Sequence, residues 1–124
     1  MKKIILILLM FLTLTINSQT VTHTEKGNWT ATYYGNTYKK KRHTANGDVF
    51  NMRSMTCAAP KKFKFGTKLK VTNLENKKSV IVTVNDRGSF RHNVVDLTYY
   101  AFKKIGEHKK GRIKVKVQVV SNIK

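Results

Sequence analysis

The chain has 124 residues, which is enough for one domain with a core of its own and too few for a second module. Twenty-five Lys plus Arg stand against six Asp plus Glu, a formal net charge of +19 at pH 7 that draws the protein to polyanions. The single cysteine, Cys57, excludes a disulfide-stapled scaffold, and no His/Cys cluster has metal-ligand spacing, so neither metal nor cofactor is expected.

Two lysines, an apolar run over residues 4–16 and a polar stretch have the layout of a secretory signal peptide, too short for a membrane span. Cleavage is expected near Ser18/Gln19. No cysteine follows the run to take a lipid, so no stable membrane anchor is expected after cleavage. The expected organisation is a signal over 1–18, a polar lead over 19–28 and one domain over 29–124. Export, to a periplasm or the cell exterior, moves the expected polyanion from nucleic acid to anionic polymers of the envelope.

W-T-A-T-Y-Y-G, ended by Gly35, reads as a strand rich in aromatic and β-branched residues. The loop N-T-Y-K-K-K-R-H-T-A-N-G-D follows, with Asn46-Gly47 suited to a tight turn. F-G-T-K-L-K-V-T-N-L buries Leu69 and Val71 and turns Lys68, Lys70 and Thr72 outward. After the turn at E-N-K-K, S-V-I-V-T-V-N-D pairs with it as a hairpin and stops at Asp86-Arg87-Gly88. N-V-V-D-L is a further strand. Leu97, Ala101 and Ile105 at four-residue steps predict one short amphipathic helix, with Thr98 as its cap and Gly106 at its end. R-I-K-V-K-V-Q-V-V closes the chain with Ile113, Val115, Val117 and Val119 inward and lysines outward. Five or six short strands and one helix suggest a small barrel, since closure removes exposed edges.

The acids are few enough to weigh singly. Asp86, at the end of a strand, either accepts backbone N–H groups in a turn or does proton chemistry, for which its surroundings must lift its pKa. Asp48 and Asn51, after the Asn-Gly turn, either shape that turn or bind a sugar hydroxyl. Asp96 is expected to cap the helix, and Glu25, Glu75 and Glu107 to be solvated. Tyr34 and Tyr38, beside polar loops, are the aromatics placed to reach a ligand. His43 and His92 read as solvated, and Cys57 as a small buried residue.

T-Y-Y-G (32 to 35), T-A-N-G-D-V-F-N-M (44 to 52), F-G-T-K-L-K-V-T-N-L (65 to 74), S-V-I-V-T-V-N-D-R-G-S-F (79 to 90) and V-V-D-L (94 to 97) together resemble the rare lipoprotein A family. The resemblance runs in order over nearly all of the chain beyond the signal. It implies a mainly β fold, a six-stranded double-psi β-barrel with one or two short helices, as in expansins and barwin-like proteins. It also implies a lytic transglycosylase that cuts the MurNAc-GlcNAc bond of peptidoglycan glycan strands and leaves a 1,6-anhydro end. On that pattern Asp86 is the acid/base, while Asp48, Thr44, Tyr34, Asn51 and Arg87 line the groove. The chain departs from the pattern at Asn51, where relatives often carry aspartate, at A-A-P (58 to 60), where they often carry A-A-H, and at Ser89 in place of proline. The missing histidine leaves open an expansin-like module that binds or loosens the wall without cleaving it. Charge alone supports a third reading, an exported toxin or antimicrobial protein acting on other polyanions.

Overall fold

Apolar residues at every second position make strands with one face for a core, and six such strands here close into a cylinder. The computed structural model describes residues 19–88 and 92–122; the expected export signal and the motif residues Ser89 and Phe90 lie outside the described residues. The elements are β1 (Gln19–Thr24), β2 (Trp29–Tyr34), β3 (Thr56–Ala58), β4 (Lys68–Asn73), β5 (Ser79–Asp86), β6 (Val94–Thr98), helix α1 (Tyr99–Lys103), a 3-10 turn (His108–Lys110) and β7 (Ile113–Asn122). Strand order is β1-β7-β2-β6-β3-β5-β4, and β4 pairs back onto β7 to close the barrel. β2 runs parallel to β6 and β3 parallel to β5, while the other pairs are antiparallel. This is the mixed six-stranded closure of a double-psi barrel, with β1 added outside on the far end of β7.

The predicted hairpin is β4–β5, with Leu69 opposite Val82 and Val71 opposite Val80. Leu69, Val71, Val82, Val84, Val95, Leu97 and Val117 fill the interior, and Phe102 and Ile105 close one end. Each such side chain contributes about 2 kcal/mol by leaving water. The helix is shorter than its apolar spacing suggested, because Leu97 belongs to β6. Thr98 caps it as expected: its hydroxyl accepts the Ala101 N–H at 3.3 Å and donates to the Ser54 carbonyl at 2.6 Å.

Two expectations fail. Asp96 is not the helix cap, since it lies within β6 and its carboxylate accepts from Thr32 across the ladder. Glu25 is not solvated either; its side chain is 7% exposed and pairs with Lys62 at 2.6 Å, with Lys62 lying over the Trp29 ring. The polar stretch ahead of Trp29 also contains a strand, β1, held on β7 with a register shift between Val21 and His23.

Candidate active site

β3 lies between β5 and β6, and its three residues fix what faces outward there. Cys57 is opposite Val84 on β5 and Leu97 on β6, and all three are fully buried. One step on, Ala58 is opposite Asp96 on β6 but Asp86 on β5, because the register slips there past Asn85. In an unbroken ladder Ala58 would face Asn85, and Asp86 would follow Val80, Val82 and Val84 into the core. The bulge turns Asp86 to the outer face. On the other side of β6, Thr32 is opposite Asp96. A row therefore crosses four strands, Thr32, Asp96, Ala58, Asp86, with the two acid Cα atoms about 10 Å apart and a methyl group between them.

The two carboxyl groups have different surroundings. Asp86 accepts three hydrogen bonds: from the Tyr34 hydroxyl to Oδ2 at 2.8 Å, and to Oδ1 from the N–H groups of Ala45 at 2.9 Å and Arg87 at 2.8 Å. Three donors on one carboxylate suit its ionised, acceptor-only form. Asp96 accepts from Thr32 Oγ1 at 2.8 Å. Burial pushes its carboxyl up to about 6, against the Thr32 bond and with help from the charge of Asp86. The acid whose proton is held toward neutral pH is thus Asp96, and the one oriented by a full set of donors is Asp86. Burial first, then the bond to Asp86 and its charge, push the Tyr34 phenol well above its usual range, so it stays a donor. Burial likewise lifts the Cys57 thiol to about 12, which leaves it inert.

The loop between β2 and β3 supplies the rest. Its Asn46-Gly47 turn is real, with Gly47 at φ +94°, and the N–H groups of Asn46 and Ala45 dock on the Asn85 carbonyl and the Asp86 carboxylate. Thr44 is buried; its hydroxyl donates to Asn46 Oδ1 at 2.6 Å. Asp48 Oδ2 accepts from Asn46 Nδ2 at 3.0 Å and Asn85 Nδ2 at 3.3 Å. Thr44 and Asp48 therefore shape the loop that seats on the bulge. Asn51 is exposed, caps its own turn through the Arg53 N–H at 2.9 Å, and lines a cavity of about 350 Å³ with Tyr38, Lys40, Val49, Phe50 and Met52. Phe50 packs on Tyr34 and Tyr38 and lies so close over Gly35 that a Cβ there would sit 2.1 Å from its Cζ. Arg87 turns away from the carboxylate beside it. Its guanidinium donates to the carbonyls of Ala59 at 3.1 Å and Phe63 at 2.7 Å and stacks on Phe65, which fixes the 59–65 loop.

The structure thus brings Asp86 and Tyr34 together, sets Asn51 beyond them and gives Thr44, Asp48 and Arg87 scaffolding contacts. Sequence reasoning missed Thr32 and the Ala45 N–H, and assigned Asp96 elsewhere. Thr32 was findable as the outward position two before Tyr34. Among the described residues no three His, Cys, Asp or Glu side chains converge as metal ligands do. A further cavity of about 330 Å³, lined by Asn73, Glu75, Lys78, Lys103 and Lys110, lies toward the start of β5, away from the carboxylates.

The family described as lytic transglycolase, of double-psi β-barrel type, matches residues 26–117. The endolytic peptidoglycan transglycosylase RlpA of Pseudomonas aeruginosa is 42% identical over 95 residues, covering 76% of this chain and 27% of that protein. RlpA of Vibrio cholerae is 38% identical over 109 residues, covering 85% of this chain and 38% of that one. The chain therefore spans well under half the length of these relatives. Among solved structures, the Clavibacter michiganensis expansin aligns with TM-score 0.63 at 21% identity, over 78% of this chain and 51% of that one. The Streptomyces papain inhibitor aligns with TM-score 0.64 at 20% identity, over 82% and 97%. A mutant of the same expansin, in complex with cellohexaose, aligns with TM-score 0.55 at 20% identity, over 78% and 51%. The ordered motifs, the barrel closure and these matches agree: the chain belongs to the lytic transglycolase family and is an RlpA-like double-psi β-barrel domain.

Proposed function

We propose that this domain is exported to the cell wall and cleaves peptidoglycan glycan strands as an endolytic transglycosylase, at the groove over Thr32, Asp96, Ala58 and Asp86. The observation that carries the reading is the bulge at Asn85, which puts Asp86 on the same outward row as a second carboxyl whose proton is retained to about 6. A glycosidic bond brought to the outer edge of this row, with the 2%-exposed Ala58 beneath it, meets Asp96 on one side and Asp86 on the other. Asp96 gives its proton to the leaving oxygen as the C1–O bond breaks, and the carboxylate of Asp86 stabilises the positive charge that develops on the sugar ring. The sugar's own O6 hydroxyl then closes on C1, its proton passes to Asp86, and exchange with solvent restores the pair. No water is consumed, so a 1,6-anhydro end remains. Tyr34 holds Asp86 in place, and Tyr38, Phe50 and Asn51 extend the groove. This modifies the expectation of one acid/base: Asp86 keeps the base role, and the proton donor is Asp96.

The replacement of the family's histidine by Pro60 favours a second reading, an expansin-like module that binds the same strands without cutting them. One experiment separates the two. The domain is incubated with peptide-free glycan strands, and products are read by mass spectrometry beside Asp86→Asn and Asp96→Asn. Anhydro products from the wild type and none from either variant are expected. No product from the wild type, with retained binding to sacculi, overturns cleavage and leaves the binding module.

A further inference from the structure

Some of the chain's charge borders the groove, at Lys40 and Arg42 beside Tyr38, and a second ordered set is on the opposite wall of the barrel. Around the cylinder, β7 lies three strands from β3, and β4 three strands from β6, so the outward face of β4 and β7 is diametrically opposite the carboxylate row. Its outward positions carry Lys68, Lys70, Lys114 and Lys116, the last two exposed and the first two with half-buried stems. The residues registered beside them are neutral: Lys116 faces Thr72, Lys70 faces Gln118 and Ile81, Lys68 faces Thr83 and Val120, and Lys114 faces Thr30. Five of the six acids are elsewhere, and Glu75, which pairs with Lys110, borders one end of the face near Lys114. Asp48, Asp86 and Asp96 surround the groove, Glu25 is paired with Lys62, Glu75 sits in the β4–β5 turn, and Glu107 precedes the 3-10 turn. Among the described residues none of the four lysines is in an ion pair.

We propose that the β4–β7 face is a docking surface for a linear phosphodiester polymer of the cell envelope, which holds the domain at the wall while the opposite groove is free for the glycan strand. The proposal rests on the reading that the domain works at the wall, but not on its cleaving anything. The four cations on the strands themselves are lysines, point charges that suit single phosphates, and Arg112, just before β7, lines a cavity with Lys114 and adds a fork at one end. Lysines two apart on one strand are about 7 Å apart, and the register puts Lys68 and Lys70 on β4 ahead of Lys116 and Lys114 on β7, one cation at each successive outward level, a single staggered line for a chain of regularly spaced charges. These outward positions hold no aromatic ring for base stacking and none to anchor in a bilayer, so neither single-stranded nucleic acid nor lipid is the better fit. The lysine face and the groove are on opposite walls of the barrel, so the polymer and the glycan do not compete for one site.

The test measures binding of poly(glycerol phosphate) to the domain at about 50 mM and about 200 mM salt, where phosphate contacts weaken steeply. Replacing Lys68, Lys70, Lys114 and Lys116 together by Gln is expected to weaken binding on the order of a hundredfold at the lower salt and to flatten the salt dependence. A charge-matched control with Lys61, Lys64, Lys104 and Lys109 replaced by Gln is expected to lose only a few-fold. Unchanged thermal unfolding of both variants removes misfolding as a cause. Equal losses in the two variants, or tighter binding of poly-L-glutamate, duplex DNA or phosphatidylglycerol vesicles than of the polymer, overturn the proposal. Asp86→Asn and Asp96→Asn are expected to bind the polymer as the wild type does, and the lysine variant to cleave soluble polymer-free glycan normally, so the two readings fail separately.

Discussion

The outward face of β6 and β3 and the outward face of β7 and β4 come from the same alternating strands, and they differ in one structural respect. The lysine face is an unbroken ladder: the pairs from Lys68–Val120 to Asn73–Val115 advance one residue at a time on both strands. The carboxylate face has a bulge. In the regular ladder alternation decides which side chains point outward, and Lys68, Lys70 and Lys116 take three of those positions, although Thr72 and Val120 among them are buried. In the bulged one, alternation is broken at Asn85, and an acid bound for the interior is turned outward beside another. A broken rule of this kind concentrates chemistry at one place, and the loop at 44–48 is needed to cover the backbone that the bulge exposes.

The contrast can be broken most severely at the acids. Asp86→Asn or Asp96→Asn is expected to lower glycan cleavage by about 10²–10⁴-fold, the usual range for a positioned acid or base. The double variant is expected to be no worse than the poorer single one, because the pair acts as a unit. Steady-state rates on purified strands check this, and an additive loss separates the two residues. Tyr34→Phe removes one donor to Asp86 and is expected to cost about 10-fold to 100-fold in cleavage, as a hydrogen bond to a charged group is worth about 1.5–3 kcal/mol. Its thermal unfolding stays close to wild type if the phenol serves orientation rather than packing.

Acidity sharpens the same comparison, since only the carboxylate face has a shifted acid. Asp96 has its carboxyl raised from 3.8 to about 6 in the folded state, so the native chain binds more protons than the unfolded one between those values. Its contribution to stability is complete below about pH 4, falls as pH rises toward about 6 and is then spent. Denaturant midpoints across this window should show that slope in the wild type and lose it in Asp96→Asn. Cleavage should fall above about pH 6 as the donor deprotonates. The smallest effect is expected on the regular face, where Lys70→Gln or Lys116→Gln alone changes stability by less than about 0.5 kcal/mol. A larger change in chemical unfolding would mean that these stems do more packing than their exposure suggests.

Much of the barrel was legible in the chain. Val80, Val82 and Val84, and Ile113, Val115 and Val117, announce their inward faces by period alone, and the hairpin, the cap at Thr98 and the buried Cys57 follow from local chemistry. β3 was not legible, because Thr56–Ala58 is three residues long and pairs only with strands distant in sequence. The misreading of Asp96 has the same cause. An acid just before a helix has the look of a cap, and nothing local says that Thr32, 64 residues earlier, is its partner.

The sequence by itself determined the inward and outward faces, the surplus of positive charge and the scarcity of acids, because these depend on the period of two and on composition. It also placed Asp86 at a strand end. The tertiary structure decided that Asp86 faces outward at all, that it stands about two strands from Asp96 with Ala58 between them, and that the lysines of β4 and β7 are on the far wall. Those are facts of register and closure. They are set by how distant strands settle against one another around a shared core, and no window along the chain contains both partners.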